Sequence, residues 1–161
     1  MPALREALEA AGHERVRTYV QSGNVVLSSR RSATRVADEV RALLVREFGV
    51  DVEVVVRTRD ELAAVVAGNP LAKVATDPKR YQVSFLDRPL AKEMVAKLET
   101  VRDARERLVV DGREVYAWHP AGVARSKLWS ALAGSGLGVT ATSRNWTTVT
   151  SLLALADEDP G

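Results

Sequence analysis

The chain has 161 residues, 46% of them hydrophobic, with 23 basic and 21 acidic side chains and no cysteine. A chain this long buries roughly 70% of its unfolded surface without a disulfide or metal staple, and no apolar run approaches the roughly 20 residues that cross a bilayer. The net charge of +2 is spread with interleaved signs, so a pI of 9.1 overstates a small excess and no basic block tracks a phosphate backbone. The missing cysteines fit a reducing cytoplasm. The charged, helix-patterned N-terminus is no signal peptide. The abundance of Arg over Lys, with much Ala and Val, is read as GC-rich coding bias ahead of a phosphate-binding function.

Leu4, Leu8 and Ala11 recur at i, i+4 and i+7, which predicts an amphipathic helix over Pro2 to Ala11, with Gly12 just past its end. Two β-prone runs follow, Val16 to Val20 and Val25 to Ser28, around the polar tetrad Gln21-Ser22-Gly23-Asn24. Gly and Asn accept φ > 0, so Gly23-Asn24 closes a hairpin. Ser32 is the expected cap of a helix whose stripe is Val36, Val40, Leu43, Leu44 and Phe48, ending at Gly49. The near-continuous run Val52 to Val56 predicts a strand covered on both faces. Thr58 or Asp60 caps a short helix carrying Leu62, Val65 and Val66, stopped by Gly68-Asn69-Pro70.

Leu71 to Lys79 reads as the linker. Tyr81, Val83 and Phe85 alternate with Gln82 and Ser84 as a half-buried strand. Leu90, Met94 and Leu98 mark a helix opened by Pro89. Leu108 to Val110 and Val115 to Trp118 are strands joined at Asp111-Gly112, a strong hairpin signal. Leu128, Trp129 and Leu132 mark the next helix, ended by Gly134, Gly136 and Gly138. Val139 to Ala141 reads as a short strand, and Thr142 or Ser143 as the cap of a last helix with Trp146, Val149, Leu152 and Leu153 on one face. Asp157 to Gly161 reads as a frayed acidic tail.

The second half is strand, helix, hairpin, helix, strand, helix; the first is helix, hairpin, helix, strand, helix. The orders match if the first half lacks one leading strand. The expected fold is α+β, a tandem pair of ferredoxin-like (βαββαβ) halves over 1–70 and 79–157, the first without its leading strand. Loss of that central strand would leave backbone groups unpaired beside Val52 to Val56, which leads to the expectation that Met1 is internal to a longer natural chain. An orphan sheet edge would also favour dimers.

Thr18-Tyr19-Val20-Gln21-Ser22-Gly23-Asn24-Val25-Val26, Asn69-Pro70-Leu71, Phe85-Leu86, Ser126-Lys127-Leu128 and Arg144-Asn145-Trp146-Thr147-Thr148-Val149, in that order, resemble the bacterial family called domain of unknown function 1697. The resemblance covers almost the whole chain. It implies a two-part α+β fold and, ahead of the first helix, a strand and Gly-rich turn that this sequence does not contain. It implies no activity, cofactor or catalytic residue.

The candidate site is the hairpin tip. Gln21, Ser22 and Asn24 carry more hydrogen-bonding capacity than a plain turn needs, although such side chains also bond their own backbone. Arg125 and Lys127, around Ser126, and Arg144, at a helix start, are the expected basic complement facing the tip, with Asn145 beside Arg144 a further candidate ligand-binding residue. For these the alternative is solvated helix starts, and for Trp146 a core position. With His13 and His119 the only histidines and no carboxylate at ligand spacing, no metal or other cofactor is expected, and His119 shows no partner that would make it a general base. Gly134-Ser135-Gly136-Leu137-Gly138 follows a helix, the wrong context for a dinucleotide loop. No nucleophile elbow, Ser/His/Asp arrangement or Ser-x-x-Lys pattern is recognisable. Tyr81 with Phe85, and Tyr116 with Trp118, share strand faces as base-stacking rings do, but a covered sheet would bury them. The reading is a cytoplasmic binding module for a small anionic ligand. An enzyme on a phosphorylated or carboxylated metabolite is the alternative, a nucleic-acid binder the third, and no membrane partner is expected.

Overall fold

The computed structural model describes residues 2–19, 23–134 and 136–158. It is a mixed α+β fold with two antiparallel sheets and, among the described residues, six helices. The chain forms two compact units, Met1–Ala63 with Ser151–Gly161, and Ala64–Thr150.

In the first unit, helix α1 (Pro2–Ala10) buries Leu4 and Leu8 against Val16 of strand β1 (Glu14–Tyr19) and Leu43 of helix α2 (Ala33–Phe48). Strand β2 (Asn24–Ser28) pairs antiparallel with β1 in the register Tyr19↔Asn24, Thr18↔Val25 and Arg17↔Val26. The register slips between Glu14 and Arg17, where Arg15 takes φ 54°. Helix α2 starts where Ser32 Oγ accepts the Arg35 N–H at 3.2 Å. It stops at Gly49, φ 66°, whose N–H and that of Val50 reach the carbonyls of Val45 and Leu44. Helix α3 (Arg59–Ala67) opens with a reciprocal capping box: Thr58 Oγ1 accepts the Glu61 N–H at 3.1 Å, and Glu61 Oε1 accepts the Thr58 N–H at 2.9 Å.

The strand expected over Val52 to Val56 is absent; residues 51–58 form no ladder, and Val52 is 46% exposed. A strand persists only when a neighbour satisfies its backbone, and among the described residues the sheet of this unit holds β1 and β2 alone. The segment is instead tied to α2 through its charges: Arg41 bonds Asp51 at 2.8 Å and Glu53 at 3.0 Å. Phe48, expected on the buried stripe of α2, is 38% exposed.

The second unit holds strand β3 (Tyr81–Leu86), helix α4 (Lys92–Val101), strands β4 (Arg107–Asp111) and β5 (Glu114–Trp118), helix α5 (Lys127–Ala133), strand β6 (Ala141–Asn145) and the start of helix α6 (Trp146–Asp157). The sheet order is β4-β5-β3-β6, antiparallel throughout. All six residues of β3 are buried, more than the half-buried expectation. Leu86, Val115 and Ala117 on one face pack with Leu98 of α4 and Leu128 and Leu132 of α5. On the other, Tyr81, Phe85, Tyr116 and Trp118 are at most 9% exposed, and Tyr81 stacks on Trp146 at 4.9 Å. Burial pushes the Tyr116 phenol up to about 12. The Tyr81 hydroxyl donates to Asn69 Oδ1 at 2.6 Å, and the Pro78 carbonyl accepts the Trp146 N–H at 3.1 Å, so the stretch read as a linker is bonded into this unit.

Strand β6 begins at Ala141, where the expected strand would have ended, and takes in Thr142 and Ser143. One or the other was the expected cap, but Ser143 Oγ meets Ser84 Oγ of β3 at 2.6 Å, and Asn145 caps α6 in their place, accepting the Thr148 N–H at 2.9 Å. Gly134 ends α5, and Leu137 returns to the core at 4% exposure.

Leu98→Ala, emptying a fully buried site, is expected to cost about 2–5 kcal/mol in urea unfolding. Val52→Ala, on the unpaired segment, is expected to change stability by less than about 0.5 kcal/mol. A Val52 cost as large as that of Leu98 would contradict the exposed placement of residues 51–58.

Candidate functional site

Two loops of the second unit build a pocket. The first joins α4 to β4. There Asp103 Oδ1 accepts the Arg105 N–H at 2.8 Å, and the Asp103 carbonyl accepts the Glu106 N–H at 3.0 Å, a tight Asx-type turn. The second runs from His119, at the end of β5, to Ser126. It turns at Gly122, φ 88°, whose N–H bonds the His119 carbonyl at 2.8 Å, and it ends where Ser126 Oγ caps α5 by accepting the Trp129 N–H at 3.0 Å.

The carboxylate of Glu106, 5% exposed, joins the two. Its Oε1 accepts the Asp103 N–H at 2.9 Å. Its Oε2 accepts the Ser126 hydroxyl at 2.6 Å and faces His119 Nδ1 at 2.5 Å. A carboxylate at Nδ1 fixes the ring proton there. The His119 ring is fully buried and meets the Trp129 ring edge-on at 6.1 Å. Burial alone would raise the Glu106 pKa, but the Ser126 hydroxyl, the Asp103 N–H and His119 together hold it below the usual carboxylate range.

This cluster does not activate Ser126 as a nucleophile. A catalytic serine lies on the ring nitrogen opposite the carboxylate, whereas Ser126 Oγ lies 3.3 Å from Nδ1, the nitrogen that already faces Glu106. Its hydroxyl proton goes to Glu106 and its lone pair to the Trp129 N–H. The cluster is a clamp between two loops.

Above it lies an open pocket of about 730 Å³, whose polar lining includes Asp103, Arg105, Glu106, Arg125, Ser126 and Lys127. Arg105 leans on Asp103 at 3.8 Å. Arg125 and Lys127 are exposed and have no acidic partner among the described residues.

Of the residues singled out from sequence, Arg125 and Lys127 thus share one pocket. Arg144 and Asn145 do not line it: Asn145 is a helix cap, and Arg144 is half-buried in β6, its Nη1 on Thr142 Oγ1 at 2.7 Å and the Ser143 carbonyl at 2.8 Å. Burial lowers the Arg144 pKa. Asn24 belongs to the first unit. It is 6% exposed, and its Nδ2 donates to the Tyr19 carbonyl at 3.2 Å, closing the hairpin. Gln21 and Ser22 lie outside the described residues. The expectation that His119 has no partner is corrected: the partner is Glu106. The expected turn at Asp111-Gly112 would set Glu106 opposite Ala117; the hairpin instead pairs Asp111 with Glu114 and turns at Gly112-Arg113, and this register, with Arg107 beside Trp118, sets Glu106 opposite His119. Arg105 carried no sequence signal beyond its charge.

Among the described residues no group of three or more His, Cys, Asp or Glu is placed to hold a metal ion, and no helix is long and apolar enough to cross a membrane.

The family model described as "Protein of unknown function (DUF1697)" matches residues 1–116. The solved structure of the conserved bacterial protein SP0830 from Streptococcus pneumoniae is similar, with a TM-score of 0.72 and 18% identity, over 98% of this chain and 88% of that one. At that identity the likeness concerns the fold. No curated protein matches the chain.

Because the folded pKa of Glu106 is depressed, the stability it contributes is present above its unfolded value and lost as pH falls through the lower folded one. Urea unfolding from about pH 7 to pH 3 is expected to show the gap between the native chain and Glu106→Gln closing toward acid. A gap constant across that range would refute the ionised clamp.

Proposed function

Given that the chain belongs to the DUF1697 family, whose description names no activity, we propose from its own geometry that it is a binding module for a small phosphate- or carboxylate-bearing ligand. The carrying observation is the pairing of two exposed cations without acidic partners among the described residues, Arg125 and Lys127, with Arg105 in one open pocket over an ordered floor. A surface cation without a partner is ordinary; two on one concave wall facing a third are what an anion requires. Binding is favoured over catalysis because the Ser126 hydroxyl is committed to Glu106 and the Trp129 N–H, and His119, whose Nε2 has no partner among the described residues, is fully buried beneath the pocket. Nucleic-acid binding is disfavoured because the sheet rings that would stack bases are buried. The cysteine-free sequence supports a cytoplasmic setting.

The architecture belongs to the same reading. The second unit runs β-α-β-β-α-β with its first strand at the centre beside the third and fourth, which supports a ferredoxin-like unit. The helix, hairpin and helix of the first unit support a shortened copy, with 1–70 and 79–157 as the halves of the repeat.

Titration of the full chain with inorganic phosphate and with sulfate, followed by amide shifts in NMR, is expected to give saturable changes at residues 103–106 and 120–127. Arg125→Ala with Lys127→Ala is expected to weaken binding at least about tenfold, as for loss of one or more charge-assisted contacts, without loss of stability. No saturable shift for either ion, or unchanged affinity in the double variant, would remove the reading.

A further inference from the structure

We infer that Glu106 is the positioning residue of this pocket: a buried carboxylate that makes an anion site by holding two cationic loops at a fixed separation. The inference rests on the anion-binding reading above.

The chain places the three cations immediately beside the clamped residues. Arg105 precedes Glu106, and Arg125 and Lys127 flank Ser126. The hydrogen bond of 2.6 Å from Ser126 Oγ to Glu106 Oε2 therefore bolts together the two backbone positions from which the pocket's cations project. The second bond, from His119 Nδ1 to the same oxygen, ties the start of the 119–126 loop to that point; the third, from the Asp103 N–H to Oε1, ties the 103–106 turn. One side chain thus fixes both loops at both ends. Arg102 and Arg107 each also reach the Glu106 carbonyl, at 3.0 and 3.3 Å, holding its backbone. Without the clamp, a ligand would have to order both loops at its own cost in affinity.

The sign of the effect separates positioning from charge. Glu106 is an anion in the lining of an anion pocket. By Coulomb's law alone, removing its charge strengthens anion binding. A positioning role requires the reverse, weaker binding when the charge is gone.

The experiment titrates sulfate, which stays dianionic through the neutral range, into the full-length native chain and three variants: Glu106→Gln, Ser126→Ala and the Arg125→Ala/Lys127→Ala double. Near-UV circular dichroism checks folding. Glu106→Gln is expected to weaken sulfate at least about fivefold, and Ser126→Ala, which leaves the carboxylate in place and cuts its bond to the second loop, at least about threefold. Hydrogen exchange at the Asp103 amide is expected to accelerate in Glu106→Gln. A folded Glu106→Gln chain that binds sulfate equally or more tightly overturns the inference. If that variant does not fold, Ser126→Ala binding within about twofold of the native chain overturns it instead. Failure of the underlying reading looks different: the native chain shows no saturable sulfate binding, or the double variant binds as the native chain does, and the inference then falls with it. Native binding lost in the double variant, with Glu106→Gln unimpaired, refutes the positioning role alone.

Discussion

Strand β3 is buried along its whole length, and a strand so enclosed must find a partner on each edge, because no water reaches its N–H and C=O groups. β5 and β6 supply those edges. Much else in the second unit follows from the two pairings. The β5 register places Tyr116 beside Val83 and Trp118 beside Tyr81, so one face becomes an aromatic layer, leaving the other to Leu86, Val115 and Ala117 under α4 and α5. The β6 register draws Thr142 and Ser143 into the sheet and delays the start of α6 to Trp146. The β5 strand in turn fixes β4, and the end of the β4–β5 hairpin is where Glu106 meets His119.

Residues 51–58 show the converse. Val52, Val54, Val55 and Val56 have as much β propensity as any run in the chain, yet none of them joins a ladder. Propensity describes how a side chain fits a pleated surface; it supplies no neighbour. The run holds its course through Arg41, which reaches two carboxylates from the adjoining helix. Exposed ion pairs of this kind contribute little stability each.

What was legible in the sequence was what local chemistry decides. The Ser32 cap, the Gly49 stop and the Thr58 cap all depend on residues within a few positions, and all form; the hairpin expected at Asp111-Gly112 forms too, with its turn one residue on at Gly112-Arg113. The α+β class followed from the periods of the apolar residues. What was not legible depended on pairing across distance: whether Val52 to Val56 finds a partner, and whether Thr142 caps a helix or extends a sheet. The candidate site divides the same way. Arg125 and Lys127 were visible as cations beside a cap. Arg144 and Asn145 were visible too, but the β6 pairing gave them structural bonds. His119 looked isolated because its partner lies 13 residues back along the chain, across a hairpin. The hairpin was readable but its register was not: a turn at Asp111-Gly112 would set Glu106 opposite Ala117, and the turn at Gly112-Arg113 moves it to His119.

The same bonds bear on what the pocket can do. A buried carboxylate, imidazole and hydroxyl in mutual contact resemble a catalytic set in composition, and composition is what a motif search would find. Connectivity sets this cluster apart from the serine triad. In a proton relay the imidazole stands between acid and hydroxyl, one nitrogen for each. Here the carboxylate stands between imidazole and hydroxyl and takes a hydrogen bond from both. The Ser126 hydroxyl is committed to this cluster, while His119 Nε2, on the ring edge away from Glu106, is buried and has no hydrogen-bond partner among the described residues. The carboxylate and the hydroxyl are thus committed to structure while Arg125 and Lys127 stand exposed without an acidic partner among the described residues, and it is on this contrast that the anion-binding proposal rests.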